Sequence, residues 1–468
     1  MKTIFNKNYS GKIAIPVLIT ILFILMGIVI FKKTRHIEKE TIFSQKLEID
    51  TTSDSRALGY SGQRKIVKDS KGNIFVSYRK DYQKNSEIFV TKISHDVAGF
   101  HIYDTDKPIA VLGKNNDQRV PSLAIDANDT LHAVWYGSDT EGNKNNRQVK
   151  YARKPAGAKN WESWRNIAHV SGYTDDEFWQ EHPMLLASRD NTLFVVWEGK
   201  DEEHAKQQIK FSKSINNGLV WTKWKNIAPS KNGTQSRPTL VEDKNGKLFL
   251  FSYSSADNEE ALQQIQYTSS SDQGETWTPW KVISNPAFDS RHISAATNES
   301  GELYVVWRAQ TTKDGPTQIM YRTLTNNNWS GIRAVYTSAK YQFFPNVGTT
   351  QAGAVYVSWM ENSNPSEFPR ENPTAGIGLV SFLKRGAFQS PTLLSEQANL
   401  LYPTLGEKIN TEDFVPIFYA EQTGGQELKL NLKFLDSSHM KNNTQKWKFL
   451  PNLSNLDEFL LLPFKLVL

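Results

Sequence analysis

The chain has 468 residues and no cysteine. That excludes a disulfide framework, thiolate catalysis and any sulfur-ligated metal, so a metal would have to be held by His, Asp or Glu. It also argues against a eukaryotic secreted ectodomain, which would often carry disulfides. There is no glycine-rich phosphate loop and no Gly-x-Ser-x-Gly nucleophile elbow. The body of the chain also lacks an excess of either charge. The formal net charge is +6, but residues 1–40 hold Lys2, Lys7, Lys12, Lys32, Lys33, Arg35 and Lys39 against Glu38 and Glu40. The remainder is almost neutral, so nucleic acid is not an expected partner.

Apolar runs are scarce, with one exception. Ile13 to Phe31 reads IAIPVLITILFILMGIVIF, without a charge. At about 1.5 Å rise per residue this nearly spans a bilayer. A signal peptide would have a shorter apolar core and a small-residue cleavage site. Here FKKTRH follows. The expected organisation is a tail over 1–12, a single transmembrane helix over 13–31 in contact with the lipid bilayer, and a polar stalk over 32–60. Basic residues flank the span on both sides, so charge does not decide its orientation. A short apolar segment, 456–468, ends the chain.

What the sequence has in quantity is tryptophan, 13 in all, and it is periodic. WESW, WTKW and WTPW begin at Trp161, Trp221 and Trp277. Around them recur PSLAIDANDTLHAVW from Pro121, PMLLASRDNTLFVVW from Pro183 and PTLVEDKNGKLFLFSY from Pro238. Each is a short apolar strand, a turn rich in Asp, Asn and Gly, and a second strand ending in an aromatic, which is a hairpin signal. A third strand follows as QVKYARK, QIKFSKS, QIQYTSS or QIMYRTL, and a fourth begins near the Trp-x-x-Trp phrase. Seven such units cover residues 61–455, with no helical period between them. Radial repetition of four-stranded sheets fits this pattern. The expected fold is all-β, a seven-bladed β-propeller behind an N-terminal transmembrane helix.

Between third and fourth strands lies SSDQGETW, Ser270 to Trp277, with a near copy SINNGLVW, Ser214 to Trp221. Asp272 suits bonding to turn N–H groups, Gly274 suits positive φ, and Trp277 suits an apolar plug. This phrase resembles the Asp-box of the sialidase-like, BNR-repeat superfamily. The repeat frame accounts for 12 of the 13 tryptophans. Trp179, in DDEFWQEHP, stands outside it and is a candidate ligand contact.

The resemblance implies a site on the mouth opposite the Asp-box turns, near first-strand starts and second-strand ends. On that rule the first-strand candidates are Arg119, His182, Arg237, Arg291, His292 and Tyr402, and the second-strand candidates are Glu198, Glu361 and Glu421. Arg119-Val120-Pro121 matches the family's Arg-Ile-Pro with Val for Ile, so Arg119, Arg237 and Arg291 form a candidate arginine triad. Tyr402 and Glu421 are positional candidates for a nucleophile pair. His182, His292 and Tyr402 suit the base and acid of uronate lyases on related propellers. The first expectation is a membrane-anchored, extracytoplasmic module recognising a glycan or surface-protein ligand. The alternative is a carbohydrate-active enzyme, a sialidase-like hydrolase or a uronate polysaccharide lyase. No cofactor and no metal are expected in either case.

Overall fold

A computed structural model of the protein describes residues 43–436, apart from 84, 97–98, 104–106, 113–116, 140–146, 168–177, 256–261, 351–352, 364, 366–375, 385, 396–398, 410–413 and 426. The expected span 13–31, the C-terminal segment 456–468 and most of the proline-rich insert after Asn362 lie outside these residues. Among the described residues no helix is long and apolar enough to cross a membrane.

Seven antiparallel sheets follow one another along the chain, as the repeats predict. Blade 1 consists of Ile66–Lys68, Ile74–Tyr82, Asn85–Asp96 and Gly99–Tyr103; blade 2 of Gln118–Ile125, Leu131–Gly137, Gln148–Lys154 and Arg165–Asn166. Blade 3 is Gln180–Ala187, Leu193–Asp201, His204–Ser214 and Lys225–Asn226; blade 4 is Thr234–Glu242, Leu248–Ser255, Gln264–Ser270 and Lys281–Val282. Blades 5 and 6 open on Ser290–Thr297 and Tyr341–Thr350, and each has an outer strand broken into two short pieces. Blade 7 has Leu400–Leu405, Phe414–Gly424 and Glu427–Asp436, and its outermost strand is Phe43–Thr52 from the other end of the chain.

That last strand corrects the expected boundaries. The propeller does not begin at 61, because part of the expected stalk pairs with Glu427–Asp436. A strand from the opposite end of the propeller thus covers the outer edge of Glu427–Asp436 and ties the last blade to the first.

Neighbouring blades stack through apolar faces. The strand-two tryptophans Trp135, Trp197, Trp307 and Trp359 are fully buried there. Two of them share one polar solution: Trp135 and Trp197 donate from Nε1 to Gln118 Oε1 at 2.8 Å and to Gln180 Oε1 at 2.7 Å. The Asp-box behaves as its chemistry predicts. Asp272 accepts from Thr276 N at 2.9 Å and Ser270 Oγ at 2.7 Å, while Gly274 N donates to Ser270 Oγ at 2.8 Å. Trp277 then lies edge-on to Phe211 of the preceding blade, ring centroids 5.6 Å apart.

Gly274 is constrained twice. Its φ is +80°, and a Cβ there would fall 2.2 Å from Phe211 Cζ. Gly274→Ala is therefore expected to destabilise the fold by about 1–3 kcal/mol through backbone strain and displaced packing. Thermal unfolding by circular dichroism reads this, and an unchanged Tm would refute the packing role.

Candidate functional site at the channel mouth

Six inner strands share one irregularity close to their starts. In blade 2, Arg119 pairs with Tyr136 and Ser122 with Val134, so Val120 and Pro121 together face Trp135 alone. The same two-against-one register places His182 and Pro183 opposite Trp197, Arg237 and Pro238 opposite Ser252, and His292 and Ile293 opposite Trp307. Phe344 with Pro345 faces Trp359, and Tyr402 with Pro403 faces Tyr419. These are β-bulges, which tolerate proline and re-aim a side chain. The first residue of each has positive φ: 49° at Val120, 53° at His182, 51° at Arg237, 54° at His292, 49° at Phe344 and 51° at Tyr402. Positive φ is uncommon for non-glycine residues, and its recurrence six times marks a built feature.

The bulged side chains meet one another around Tyr60. His292 stacks on Phe344 at 4.5 Å, and Phe344 meets Tyr402 at 4.9 Å. Tyr60 is edge-on to His182 at 5.0 Å, and the Arg237 guanidinium lies 4.1 Å from its ring centroid. Tyr60 arrives on the segment that leads from the outer strand of blade 7 to the inner strand of blade 1. That segment crosses the mouth and enters the channel, where Arg64 donates to Leu240 O at 2.9 Å and pairs with Glu407. The channel is thus occluded by the protein's own chain. Tyr60 had been assigned to the stalk and was missed as a site residue.

Beside Tyr60 lies a buried ionic cluster. Arg237 donates from Nη1 to Glu198 Oε1 at 2.7 Å and from its backbone N to Glu198 Oε2 at 2.6 Å. His182 Nδ1 lies 2.8 Å from Glu198 Oε1 and also touches the Arg237 guanidinium. Burial, reinforced by the adjacent guanidinium, lowers the His182 pKa to about 4, so the imidazole is neutral. Burial opposes ionisation of Glu198, but Arg237 and His182 outweigh it and hold that carboxyl at about 2. Glu181 pairs with Arg147. Glu181, His182 and Glu198 offer metal-ligand atoms within 4.8 Å of one another. The Arg237 guanidinium already fills that space as a fixed cation, so the group reads as an ion-pair network.

A small cleft of about 20 Å³ opens next to this cluster, lined by Arg56, Tyr60, Arg79, Arg119, Tyr136 and Tyr402. Arg79 pairs with Asp54 at 2.8 Å. The Arg119 side chain is 35% exposed, and its nearest carboxylate is Asp117 at 3.5 Å. Burial, the first cause in each case, raises the Tyr136 and Tyr402 phenols, which stay protonated.

The expected arginine triad is divided. Arg119 sits with Arg56 and Arg79, Arg237 sits in the ionic cluster, and Arg291 is held by Asp289 at 2.8 Å. Two carboxylate candidates are turned away, because strand side chains alternate. Glu198 follows Trp197 directly, but Glu361 and Glu421 lie one residue further on and face the other side. Glu361 accepts from Gln342 at 3.2 Å, while Glu421 engages Lys46, Ser395 at 2.8 Å and Asn431 at 3.2 Å. A Tyr402–Glu421 nucleophile pair is not formed. Trp179 stands over Arg147 and Lys200, at 5.9 and 5.8 Å. Tyr136 was missed, although the position after the strand-two aromatic marks it.

Residues 191–300 match the BNR repeat-like domain. The match covers about a quarter of the chain, within a seven-bladed β-propeller. Among solved structures it is similar to a PL25 ulvan lyase bound to -[GlcA(1-4)Rha3S]-, at 11% identity and TM-score 0.58, covering 82% of this chain and 95% of that one. It is similar also to the polysaccharide lyase Uly1, at 11% identity and TM-score 0.54, over 84% and 99%. The Hadza microbial sialidase Hz136 follows at 14% identity and TM-score 0.48, over 78% and 74%. Comparison with curated protein sequences gave no match. At these identities the likeness is one of fold.

Arg237→Met leaves Glu198 buried without its cation and is expected to cost about 3–5 kcal/mol, with much of the loss recovered by adding Glu198→Gln. Chemical denaturation of the two single variants and the double variant tests the coupling; additive losses would dismiss it. His182 is kept neutral in the fold, so the unfolded state binds its proton more readily. Stability should fall as pH drops from about 6.5 towards 4. The part due to His182 should vanish from the pH–stability curve of His182→Gln.

Proposed function

We propose that the protein is a carbohydrate-active enzyme that cleaves a uronate-containing polysaccharide by β-elimination. The observation that carries this reading is the company the arginines keep. Arg56, Arg79 and Arg119 share one cleft with the hydroxyl-bearing Tyr60, Tyr136 and Tyr402, beside a neutral histidine. Glycoside hydrolysis by the usual route needs two available carboxylates. Here Glu198 and Glu181 are committed to Arg237 and Arg147. Elimination needs instead a cation on the sugar carboxylate, a base and a proton donor.

In this mechanism Arg119, backed by Arg79 and Arg56, binds the uronate carboxylate and spreads the charge that builds up there. His182, pinned through Nδ1, takes the proton from the carbon next to the carboxylate. The electron pair left behind forms the ring double bond, and the bond to the glycosidic oxygen breaks. Tyr136, whose ring lies 5.0 Å from that of His182, gives its proton to the departing oxygen. Atoms balance without water or an external oxidant. The two lyases similar in fold support the reading, since one of them is bound to a glucuronate-containing saccharide.

The test is incubation of the purified protein with uronate-containing polysaccharides, following ultraviolet absorbance of the unsaturated product and its mass. His182→Ala should lower kcat by about 10²-fold or more. Arg119→Ala should lower kcat/KM by about 10–100-fold. Products of ordinary hydrolytic mass would replace elimination with hydrolysis. Binding without any product would favour a recognition module, in which the same arginines serve affinity alone.

A further inference from the structure

The face opposite the mouth carries a second feature, in the wedge between blades 1 and 2. At the other described Asp-box positions the wedge is filled by a pair of rings. Trp221 meets Tyr151 at 5.0 Å, Trp277 meets Phe211 at 5.6 Å and Trp329 meets Tyr267 at 5.2 Å. In each case the partner ring lies on the third strand of the preceding blade, opposite the residue that precedes the end of strand two: Val134 for Tyr151, Val196 for Phe211 and Phe251 for Tyr267. In blade 1 the corresponding residue is Ser77, and it faces Val90. Trp161 therefore has an aliphatic neighbour where the repeat otherwise supplies a ring.

The missing ring leaves a groove of about 340 Å³, floored by Phe75, Val90 and the half-buried Trp161. Lys71, Lys92, Lys154 and Lys159 line it, against two carboxylates, Asp69 and Asp129. Both carboxylates are occupied within turns. Asp69 accepts from Asn73 N at 2.7 Å and Lys71 N at 3.0 Å; Asp129 accepts from Ser70 N at 2.8 Å and Ser70 Oγ at 2.5 Å. Among the described residues no carboxylate pairs with Lys71, Lys92 or Lys159. The equivalent crevice between blades 4 and 5 is smaller, about 160 Å³, and has a single lysine in its lining. The wedge between blades 1 and 2 is thus richer in lysine than the one between blades 4 and 5.

We infer that the groove between blades 1 and 2 is a second binding site, for a stretch of acidic polysaccharide distant from the mouth. The indole face of Trp161 suits the apolar face of a sugar ring, and the lysines suit carboxylate or sulfate groups along the chain. A polymer held here is kept near the protein while another stretch of it visits the mouth, which raises its effective concentration there. The inference rests on the proposed function only in taking the ligand to be an anionic glycan.

The experiment is titration with polygalacturonate, with a sulfated uronate polysaccharide, with neutral dextran and with single-stranded DNA, reading tryptophan fluorescence and calorimetry. It uses the full chain carrying His182→Ala and Arg119→Ala, which removes the proposed base and carboxylate-binding cation of the mouth, and the same chain with Lys71→Ala and Lys159→Ala added. These two lysines are exposed, so the fold should survive their loss. The expected result is binding of one or both acidic polysaccharides, weakened at least tenfold by the lysine substitutions, with dextran not bound. Trp161→Phe should weaken it further. The polyuronate and sulfated arms separate the two anionic groups. Affinity unaffected by the lysine substitutions, equal affinity for dextran, or binding of DNA alone would overturn the inference. Lysine-dependent binding, with no eliminated product from the unsubstituted protein, would leave the groove standing and remove the lyase reading. Elimination by the unsubstituted protein, with lysine-independent binding, would do the reverse.

Discussion

The two-against-one bulge at the start of each inner strand, from blade 2 to blade 7, is the constraint on which the mouth depends. A regular strand would alternate its side chains between the two blade faces and present little to the channel. Inserting one residue at positive φ turns a side chain out of that alternation. It also accounts for two features of the repeat that look unrelated. Proline recurs at the second bulge position, where a lost N–H is tolerated. The residue facing the bulge from strand two is Trp135, Trp197, Trp307 or Trp359 in four blades, a large buried ring beside the kink.

Six such residues converge, and what they converge on is Tyr60. An open channel ringed by His182, Arg237, His292, Phe344 and Tyr402 would be a wet pore with weak electrostatics. The segment that carries Tyr60 closes it, and closure changes the chemistry. With water displaced, Glu198 and Arg237 interact through a medium of lower dielectric, and His182 cannot readily hold a proton. The strand Phe43–Thr52 that seals the ring delivers this segment to the mouth, so ring closure and site formation are one event in the fold.

The architecture was legible because propeller repeats are local. Strand, turn and Asp-box signals repeat within about 55 residues, and each blade packs on its neighbours in order. The first-strand rule found four of the six bulged residues, His182, Arg237, His292 and Tyr402, since proline marks the bulge in most blades. It did not find Tyr60, because nothing local in SRALGYSGQ predicts that the segment will enter the channel. It misassigned Glu361 and Glu421, because a one-residue error in a strand exchanges its two faces. The arginine triad is divided for another reason. Arg237 occupies the bulge itself, whereas Arg119 and Arg291 stand one residue before the bulge of their blades, so the three do not share one position in the repeat.

That difference of sector bears on what the mouth can do. Blades 3 and 4 spend their charges on one another, Glu198 with Arg237, leaving no uncommitted carboxylate beside His182. Blades 1 and 2 supply guanidinium groups and phenols instead, with Arg119 the more exposed member. A substrate carboxylate would find its counter-charge on one side of Tyr60 and a neutral imidazole on the other. Such a division suits proton transfer better than attack by a nucleophile. In the proposed elimination the base would stay uncharged until the transition state, and the fixed cations would act on the negative charge that appears as the proton leaves. Placing Glu198 behind the imidazole means that the positive charge developing on His182 is met by a carboxylate already oriented towards it. The cluster pulls on His182 in both directions: Glu198 favours the imidazolium, while burial and the Arg237 guanidinium hold its pKa at about 4.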